Sequence, residues 1–415
     1  MLIHASSRLA LVVGTFDTKK DELMYMAELL RKQGVPTQTV DVSTRVQAAQ
    51  GADIGNLEVA QFHPNGPSAV FTGDRGRAIA QMALALQHYA LHRLQNEPFA
   101  GVLCAGGSGA ANLASPMLQC LPVGMPKILV STMAAGDVSA YVGDSDIFTL
   151  YPIADVSGLN RISRLVLGNA ALALAGMLHP TAASAPHTND KPAIALTMFG
   201  VTTPCVQAVT QALQQEFDCI VFHATGVGGR AMEKLVESGM IKAVVDLTTT
   251  EIADEVVGGV LSAGPQRLDV FARMAVPYVG SLGALDVINF WAPESVPEVF
   301  AQRTLVAHNP QVTLMRSNET ECEAIGQWLV GKINAMRGPA RLLLPLRGLS
   351  SLDAPGQPFF LPPANQSLFA AIERNFAEHP EHRMVRLDMH LNEPAFAASV
   401  VQHVRELVAS PRSHE

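Results

Sequence analysis

The chain of 415 residues is poor in charge and in cysteine, and each shortage excludes a class of protein. Charged residues make up 16% of the sequence, against roughly 25% in an average soluble chain, while apolar residues make up 48%. A disordered chain has the opposite balance, so we expect folded domains with large cores. The five cysteines include no C-x-x-C pair, which argues against a zinc knuckle and against a disulfide framework.

The sequence also lacks a basic run and an apolar segment of membrane-spanning length. Its formal net charge is −8, whereas a general nucleic-acid binder shows a basic stripe. The apolar stretch at 170–178 is too short to cross a bilayer, and residues 1–10 lack the apolar core of a secretion signal. These absences predict a cytoplasmic protein that binds neither nucleic acid nor membrane.

Short apolar runs alternate with amphipathic segments through the first 180 residues. The runs predict strands at 9–13, 35–42, 101–105 and 127–130. Thr18, with Asp21 three residues later, predicts the cap of a helix at 19–33, and 159–178 predicts a long helix. After each strand comes a loop rich in glycine or hydroxyl residues.

The same alternation resumes after a linker predicted at 181–192, in a region with three prolines and no periodicity. Later strands are predicted at 193–198, 219–223, 243–246, 312–315, 342–344 and 384–388. Strands that alternate with helices form parallel sheets covered on both faces. We therefore expect an α/β fold of two Rossmann-like, doubly wound parallel-sheet domains, 1–180 and 193–415, that face each other across a cleft.

The two halves repeat one order of strands, loops and helices, as two copies of one domain would. In this comparison the loop at 226–229 corresponds to the loop at 106–109, and the first half carries an insertion at about 35–98. The comparison predicts an anion site in each half.

A glycine-rich loop in the first half, Gly106-Gly107-Ser108-Gly109, follows a buried strand and opens a helix. Glycine lets backbone N–H groups approach an anion closely, and the N-terminus of a helix adds partial positive charge. The loop predicts a phosphate cradle, with a plain turn from strand to helix as the alternative.

Two further loops of the first half carry residues that suit a nucleotide. The loop after the first strand contributes Gly14, Thr15, Asp17, Thr18 and Lys19. The loop after the fourth strand contributes Ser131, Thr132, Gly136 and Asp137. Asp17 and Asp137 are candidate Mg²⁺ ligands, because Mg²⁺ prefers carboxylate oxygens beside phosphates. A helix cap with surface lysines is the alternative for the first loop, and Arg75 is a further residue that either reaches an anion or lies in a solvated cap.

The second half offers a different pattern. Residues 226–231 match G-x-G-x-x-A, and Asp246 lies 20 residues beyond Gly226, as in a dinucleotide fingerprint. Candidate acid–base residues are His223 and Glu251, and candidate substrate contacts are Gly228, Gly229, Thr249 and Arg316. The alternative is that these loops only turn the chain and pack the domain. No G-x-x-x-x-G-K-[ST] is present, so a P-loop NTPase is excluded.

The motif-bearing segments resemble the N-terminal ATP-binding domain of the tomato mosaic virus resistance protein and its bacterial relatives. The resemblance rests on residues 13–19, 106–109, 122–127, 130–137, 158–164, 222–233, 246–251 and 345–350. It implies two Rossmann-like subdomains, ATP in the first with Mg²⁺ at its phosphates, and a homodimer. The 415 residues contain no counterpart of the plant protein's C-terminal barrel, so its antiviral role is not expected.

The resulting hypothesis is a cytoplasmic ATP-binding protein that takes a nucleotide and a small anionic metabolite. In its more specific form it is an ATP-dependent enzyme of organic-acid metabolism, with the second substrate in the interdomain cleft. A non-catalytic nucleotide-sensing module is the alternative, and an NAD-type oxidoreductase that uses the Gly226 loop is a third reading. The sequence leaves open whether ATP is hydrolysed.

Overall fold

The computed structural model describes residues 8–46, 50–179, 191–377 and 379–409. The chain divides into two compact units, 1–186 and 187–415, called the first and the second domain below. The division falls within the linker predicted at 181–192, and most of that linker lies outside the described residues.

The first domain is a five-stranded parallel sheet between two layers of helices. Its strands are β1 (Ala10–Gly14), β2 (Thr37–Asp41), β3 (Gly101–Gly106), β4 (Lys127–Ser131) and β5 (Phe148–Leu150). Its helices are α1 (Phe16–Lys32), α2 (Asn56–Ala60), α3 (Arg75–Asn96), α4 (Ser108–Cys120), α5 (Ser139–Val142) and α6 (Arg161–Leu178). The strand order is β2-β1-β3-β4-β5. Successive strands are thus added on one side of β1 first and on its other side from β3 onwards, as in flavodoxin-like folds.

Burial explains why the central strands are continuous apolar runs. Every residue of β1, β3 and β4 is buried, as expected for parallel strands with helices on both faces. One core packs α1 and α6 against the sheet, and the other packs α3 and α4. α6 begins after Asn160, whose side chain accepts hydrogen bonds from the Ile162 and Ser163 amides in a capping box.

The second domain has a six-stranded parallel sheet and a small antiparallel sheet. Its strands are β6 (Ala193–Met198), β7 (Asp218–His223), β8 (Ala243–Thr248), β9 (Tyr278–Gly283), β10 (Val287–Phe290), β11 (Leu305–Asn309), β12 (Val312–Arg316), β13 (Ala340–Pro345) and β14 (His382–Leu387). Its helices are α7 (Thr203–Leu213), α8 (Val227–Glu237), α9 (Thr250–Val257), α10 (Glu319–Asn334), α11 (Pro362–Asn375) and α12 (Pro394–Ala409). The orders are β14-β13-β9-β8-β6-β7 and β10-β12-β11.

The α/β class and the two Rossmann-like domains are confirmed, and several predicted elements need correction. The run at 312–315 lies in the antiparallel sheet as β12, not in the parallel one. Strands β5, β9, β10 and β11 were not predicted at all. Helix α1 starts at Phe16, directly after Thr15, so Thr18 is not its cap, and the backbone kinks at Lys19 with φ −130° and ψ 21°.

Strand order also corrects the comparison of the two halves. The order β7-β6-β8-β9-β13 repeats β2-β1-β3-β4-β5, so β7 takes the place of β2 and β8 that of β3. The counterpart of the loop at 106–109 is therefore the loop after β8, at 248–251. The glycine loop at 226–229 corresponds instead to the segment that follows β2.

Candidate functional site

A cavity of about 680 Å³ lies at the carboxyl edge of the first domain's sheet. It is lined by the loops after β1, β2 and β3 and by the start of α3. Its polar lining residues are Thr15, Asp17, Thr18, Lys19, Thr44, Arg45, Asp74, Arg75, Ser108 and Asp155. β1 and β3 flank the point of reversed winding, which is where open α/β sheets bind ligands.

The loop Gly106–Gly109 presents its backbone to this cavity. Gly106 has φ +155°, and a Cβ there would lie 2.5 Å from the Cβ of Ala110, so the position requires glycine. No side chain caps α4, and its first backbone hydrogen bond runs from the Ala111 amide to the Gly107 carbonyl at 3.1 Å. The preceding amides have no intrahelical acceptor and face the end of the helix. A Cβ on Gly107 would meet only the Thr132 Oγ1, at 3.9 Å.

The loop after β1 forms another part of the cavity wall. The Thr15 and Thr18 hydroxyls lie 2.9 Å apart, and the Lys19 amide donates to the Thr15 carbonyl at 2.8 Å, where α1 kinks. Thr15, Thr18 and Lys19 all line the cavity. Gly14 does not line it: a Cβ at Gly14 would lie 2.8 Å from the Leu23 side chain, so this glycine serves packing.

Hydrogen bonds tie the segment after β2 to the start of α1. The Asp41 Oδ1 accepts from the Phe16 amide at 3.0 Å, and the Asp17 amide donates to the Ser43 Oγ at 3.1 Å. The Asp17 carboxylate forms an ion pair with Arg45 at 3.4 Å, in which the Arg45 side chain remains 74% exposed. Arg45 thereby lies at the cavity with Asp17 as its partner.

Three cations from three elements surround the cavity, and sequence reasoning found only part of this set. Lys19 was predicted, and Arg75 lines the cavity while its neighbour Asp74 caps α3 by accepting from the Arg77 amide at 2.7 Å. Arg45 and Asp155 were missed. Arg45 follows β2 at the same sheet edge, which is the signal that could have found it; Asp155 follows β5, whose three residues give no sequence signal.

The loop after β4 joins the site only at its edge. The Ser131 Oγ is buried and accepts from the Met133 amide at 3.2 Å, while Thr132 borders Gly107. Gly136 and Asp137 do not line the cavity. The Asp137 Oδ1 instead accepts from the Ser139 amide at 2.9 Å, and this hydrogen bond lowers the pKa of the Asp137 carboxyl. The predicted convergence of three loops is thus corrected to two loops with Thr132 beside them.

The carboxylates fit Mg²⁺ only together with ligand phosphates. Within the ranges that the structure describes, no group of three or more His, Cys, Asp or Glu side chains is placed to hold a metal. Mg²⁺ often takes one or two carboxylates and completes its shell with phosphates and water. Asp17 suits that role from its position in the cavity, whereas the predicted partnership with Asp137 is not formed.

The glycine loop of the second domain holds a carboxylate of the chain itself. The buried Glu251 Oε1 accepts from the Gly226 amide at 2.7 Å and from the Gly229 amide at 2.9 Å. A Cβ on Gly229 would lie 2.1 Å from the Glu251 Oε2, so glycine is needed there for close packing. These two amides are therefore occupied by Glu251 and not presented to a bound anion.

A buried arginine holds Glu251 in place. The Arg267 guanidinium contacts Glu251 at 2.9 Å, Asp246 at 2.8 Å and Glu233 at 2.8 Å. The Tyr278 hydroxyl donates to Asp246 at 3.0 Å. Burial raises the pKa of Glu251 and of Glu233, and the charge of Arg267 opposes that shift. Since Asp246 and the glycine amides are all engaged internally, they do not form the dinucleotide site that the pattern predicted.

Three further candidates of the second domain make internal contacts. Thr249 is buried and donates to the Ser281 carbonyl at 3.2 Å. Arg316 is buried and donates to the Phe359 carbonyl at 2.7 Å and to the Asn365 Oδ1 at 2.6 Å, so it does not face an open surface. A Cβ on Gly228 would lie 1.9 Å from the His223 carbonyl, which makes that glycine a packing residue.

His223 is the exposed member of this set. Its ring lies 5.3 Å from the Phe199 ring in an edge-on contact. Neither His223 nor any other second-domain candidate lines the cavity of the first domain.

Solved structures with a detectable likeness are remote. A UDP-N-acetylglucosamine 2-epimerase from Rickettsia bellii aligns over 65% of this chain and 78% of its own, at 10% identity and a TM-score of 0.22. A glycosyltransferase from Streptomyces sp. SF2575 aligns over 66% of this chain and 81% of its own, at 14% identity and a TM-score of 0.21. At these values the likeness carries no argument about function.

Sequence relatives are much closer. A UPF0261 protein of Rhizobium meliloti is 48% identical over 401 residues, covering 96% of this chain and 99% of the relative. A UPF0261 protein of Clostridium tetani is 38% identical over 395 residues, covering 94% and 97%. The ToMV resistance protein Tm-1 of Solanum lycopersicum is 38% identical over 421 residues, covering 97% of this chain but 56% of the tomato protein. The predicted resemblance is thus confirmed.

Family models match both domains. The model described as the N-terminal domain of the uncharacterised protein family UPF0261 matches residues 8–183, and the one described as its C-terminal domain matches residues 191–408. The chain therefore belongs to the UPF0261 family.

Proposed function

We propose that the first domain binds ATP in the cavity at the carboxyl edge of its sheet, with the phosphates on the Gly106–Gly109 loop. The observation that carries this proposal is the meeting of an uncapped, glycine-led helix N-terminus and the cations Lys19, Arg45 and Arg75 in one cavity. Helix N-termini bind anions through their backbone amides, and cations add long-range attraction for a polyphosphate.

The apolar part of the cavity suits a nucleobase. Phe71 and Ile79 are half-buried side chains on its wall, and Val46 lies on the adjoining segment. An aromatic ring offers a purine a stacking surface, and a volume of about 680 Å³ lies within the usual range of small-molecule sites. The lining thus offers both charged groups for phosphates and apolar side chains for a base.

Mg²⁺ would accompany the phosphates, with Asp17 as its protein ligand, and would neutralise the charge of the β- and γ-phosphates. The Asp17 carboxylate is paired with Arg45, so binding requires that Arg45 turn from Asp17 to a phosphate oxygen. We place this activity in the cytoplasm, where ATP is plentiful; an ATP-dependent reaction of an organic acid is the finer form of the proposal.

Isothermal titration with ATP tests the site through Gly107→Val. A Cβ at Gly107 would meet only the Thr132 Oγ1, at 3.9 Å, so we expect the variant to fold, while its side chain keeps phosphate from the backbone amides. Hydrogen bonds to charged groups contribute about 2 kcal/mol, so we expect a loss of roughly 30-fold in affinity. Gly136→Val is the matched control: it has comparable space, lies outside the cavity and leaves affinity unchanged.

Two results would contradict the proposal. Undiminished ATP affinity in folded Gly107→Val removes the phosphates from this loop, and absence of ATP binding by the unmodified chain at millimolar concentration refutes the function. Phosphate release at steady state then distinguishes an ATP-dependent enzyme from a nucleotide-sensing module.

A further inference from the structure

The segment that follows β2, residues 42–46 and here called the strap, forms part of the wall of the first domain's cavity. Its residues Thr44, Arg45 and Val46 line the cavity, and the last two are exposed. A loop side chain contributes to a binding site with defined geometry when the backbone that carries it is held in place. The contacts of the strap backbone therefore bear on how the site recognises its ligand.

One buried side chain holds the strap. The Asn56 Nδ2 donates to the Ser43 carbonyl and to the Arg45 carbonyl, at 2.8 Å each. These carbonyls flank Thr44, so a single amide group fixes the backbone on both sides of a residue that lines the cavity. Asn56 has no accessible surface and does not line the cavity itself.

The segment that carries Asn56 is anchored to the sheet and to the core. Asn56 is the first residue of α2, and Val59 of the same helix packs into the core of α3 and α4. Just before α2, the Ile54 amide donates to the Thr39 carbonyl, and the Asp41 amide donates to the Ile54 carbonyl, both at 2.9 Å. Asn56 is thus fixed relative to β2, the strand from which the strap continues.

The surroundings of the Asn56 amide determine its orientation. Both groups that face the Nδ2 are carbonyl oxygens, so the reversed amide would place oxygen against oxygen. The Oδ1 is buried and has no hydrogen-bond partner among the described residues. A buried acceptor without a donor costs free energy, so an apolar side chain would suit the core better. What this amide contributes is its two hydrogen bonds to the strap.

The side chain of Arg45 remains free to move although its backbone is held. The guanidinium is 74% exposed and lies 3.4 Å from the Asp17 carboxylate. Exposed ion pairs of this kind are weak, so the guanidinium can leave Asp17 for a phosphate group without movement of the backbone. A fixed backbone reduces the conformational entropy that such a contact costs.

The order of the strands indicates which part of a nucleotide the strap meets. The strap follows β2 and the loop Gly106–Gly109 follows β3, with β1 between them. Neighbouring strands lie about 4.8 Å apart, so the two segments start roughly 10 Å apart along the sheet edge. A chain of three phosphates spans such a distance more readily than a single phosphate does.

We propose that Asn56 is a positioning residue of the nucleotide site, which holds the strap so that Arg45 contacts the distal phosphates of a nucleoside triphosphate. This inference rests on the proposed function and adds the part of the ligand that the strap recognises. Asn56 touches no ligand and acts through Arg45. The site therefore favours triphosphates over monophosphates by way of a buried amide outside the cavity.

Isothermal titration of the full chain with ATP and with AMP tests this role. Asn56→Ala removes both donors and leaves the cavity-lining side chains unchanged, so we expect ATP affinity to fall about 10-fold and AMP affinity by less than about 2-fold. Arg45→Ala should show the same selective loss. Because Asn56 acts through Arg45, the double variant should bind ATP within about 2-fold of Arg45→Ala alone.

Asn160→Ala is the matched control. It removes an asparagine of the same domain that caps α6 and lies outside the cavity, so it lowers stability but leaves ATP affinity unchanged. Asn56→Ser keeps one donor on a smaller side chain and should lower ATP affinity about 3-fold. Circular dichroism checks the fold of each variant, and the serine variant provides the test if the alanine variant does not fold.

Trypsin reports on the strap without any nucleotide. Cleavage after Arg45 requires the backbone of the strap to open, because a protease binds an extended segment. Asn56→Ala should raise the rate of cleavage at this bond about 10-fold, since it removes the two hydrogen bonds that hold the strap. Asn160→Ala should leave that rate unchanged.

The possible results separate this role from the proposed function. If the unmodified chain does not bind ATP, the proposed function is refuted and the role of Asn56 with it. If the chain binds ATP, the role alone is overturned by any of three results: unchanged ATP affinity in Asn56→Ala, equal losses for ATP and AMP, or additive losses in the double variant. An unchanged rate of cleavage after Arg45 also overturns it, because another contact would then hold the strap.

Discussion

Removal of the Glu251 carboxylate tests whether this group acts as the internal anion of the second domain. In Glu251→Ala the amides of Gly226 and Gly229 lose their acceptor, and Arg267 loses one of three carboxylates. A buried donor left unsatisfied costs about 1–3 kcal/mol, and a broken buried ion pair about 3–5 kcal/mol. Arg267 keeps Glu233 and Asp246, so we take the lower ends and expect a loss of about 5 kcal/mol.

Glu251→Gln separates the hydrogen bonds from the charge. Its amide oxygen still accepts from both glycines, but its NH₂ group faces the Arg267 Nε and cannot accept. We expect about half of the loss seen with alanine. Glu237→Ala is the control, because this exposed residue forms only surface ion pairs, which contribute less than about 1 kcal/mol.

The assay uses a property of this chain. Its two tryptophans, Trp291 and Trp328, both lie in the second domain, so urea unfolding followed by tryptophan fluorescence reports on that domain alone. A loss in Glu251→Ala no larger than that in Glu237→Ala would refute the reasoning. It would mean that the glycine amides have another acceptor and that the loop is open to an external anion.

Three further outcomes are expected. Lys19→Ala should lower ATP affinity about 10-fold and AMP affinity less than 2-fold in isothermal titration, because a cation at this helix start acts on the distal phosphates; equal losses would remove Lys19 from the phosphate site. Removal of Mg²⁺ by EDTA should weaken ATP binding, and Asp17→Asn should reduce that dependence; a dependence unchanged in Asp17→Asn would take Asp17 out of the metal shell. Burial raises the pKa of Asp286 to about 7 from 3.8, so the folded state binds this proton more tightly than the unfolded chain. The stability of the second domain should therefore fall as pH rises from about 4 to about 7 and then level off, and Asp286→Asn, which can still accept from the Ser350 hydroxyl, should make the urea midpoint fall less steeply across that range. A slope remains in the variant, because burial also raises the pKa of Asp254 to about 7 and that of Asp353.

The sequence was sufficient for the fold class because hydrophobic burial acts locally. Central strands such as β1 and β3 are continuous apolar runs, and loops of glycine and hydroxyl residues follow them. β5 escaped prediction because it has three residues, none of them buried, so it leaves no apolar run. β12 was assigned to the wrong sheet, because a short apolar run does not encode the direction of its partners.

The site was predicted in part, and the errors have one physical origin. A glycine loop before a helix indicates an anion site. It does not tell whether the anion is a bound ligand or a carboxylate of the same chain. At 106–109 no side chain caps the helix, whereas at 226–229 Glu251 supplies the anion from 22 to 25 residues away in sequence. Arg45 and Asp155 reach the cavity only through the order of strands in the sheet, which sequence spacing does not reveal.

At the carboxyl ends of β6 and β8, side chains of the second domain bond to one another where the first domain has its cavity. This difference has a consequence for amide hydrogen exchange. Between β6 and β8, the counterparts of β1 and β3, the Thr202 and Thr248 hydroxyls lie 2.7 Å apart, and the Thr248 amide donates to the Thr197 Oγ1 at 3.0 Å. Amide protons locked in this way exchange with deuterium only when the domain opens. We expect the Ser108 and Gly109 amides, at an uncapped helix end, to exchange quickly, and ATP bound at the proposed site would slow them. One deuterium-exchange experiment can therefore use the Thr248 amide as an internal reference, against which any slowing of the Ser108 and Gly109 amides by added ATP is measured.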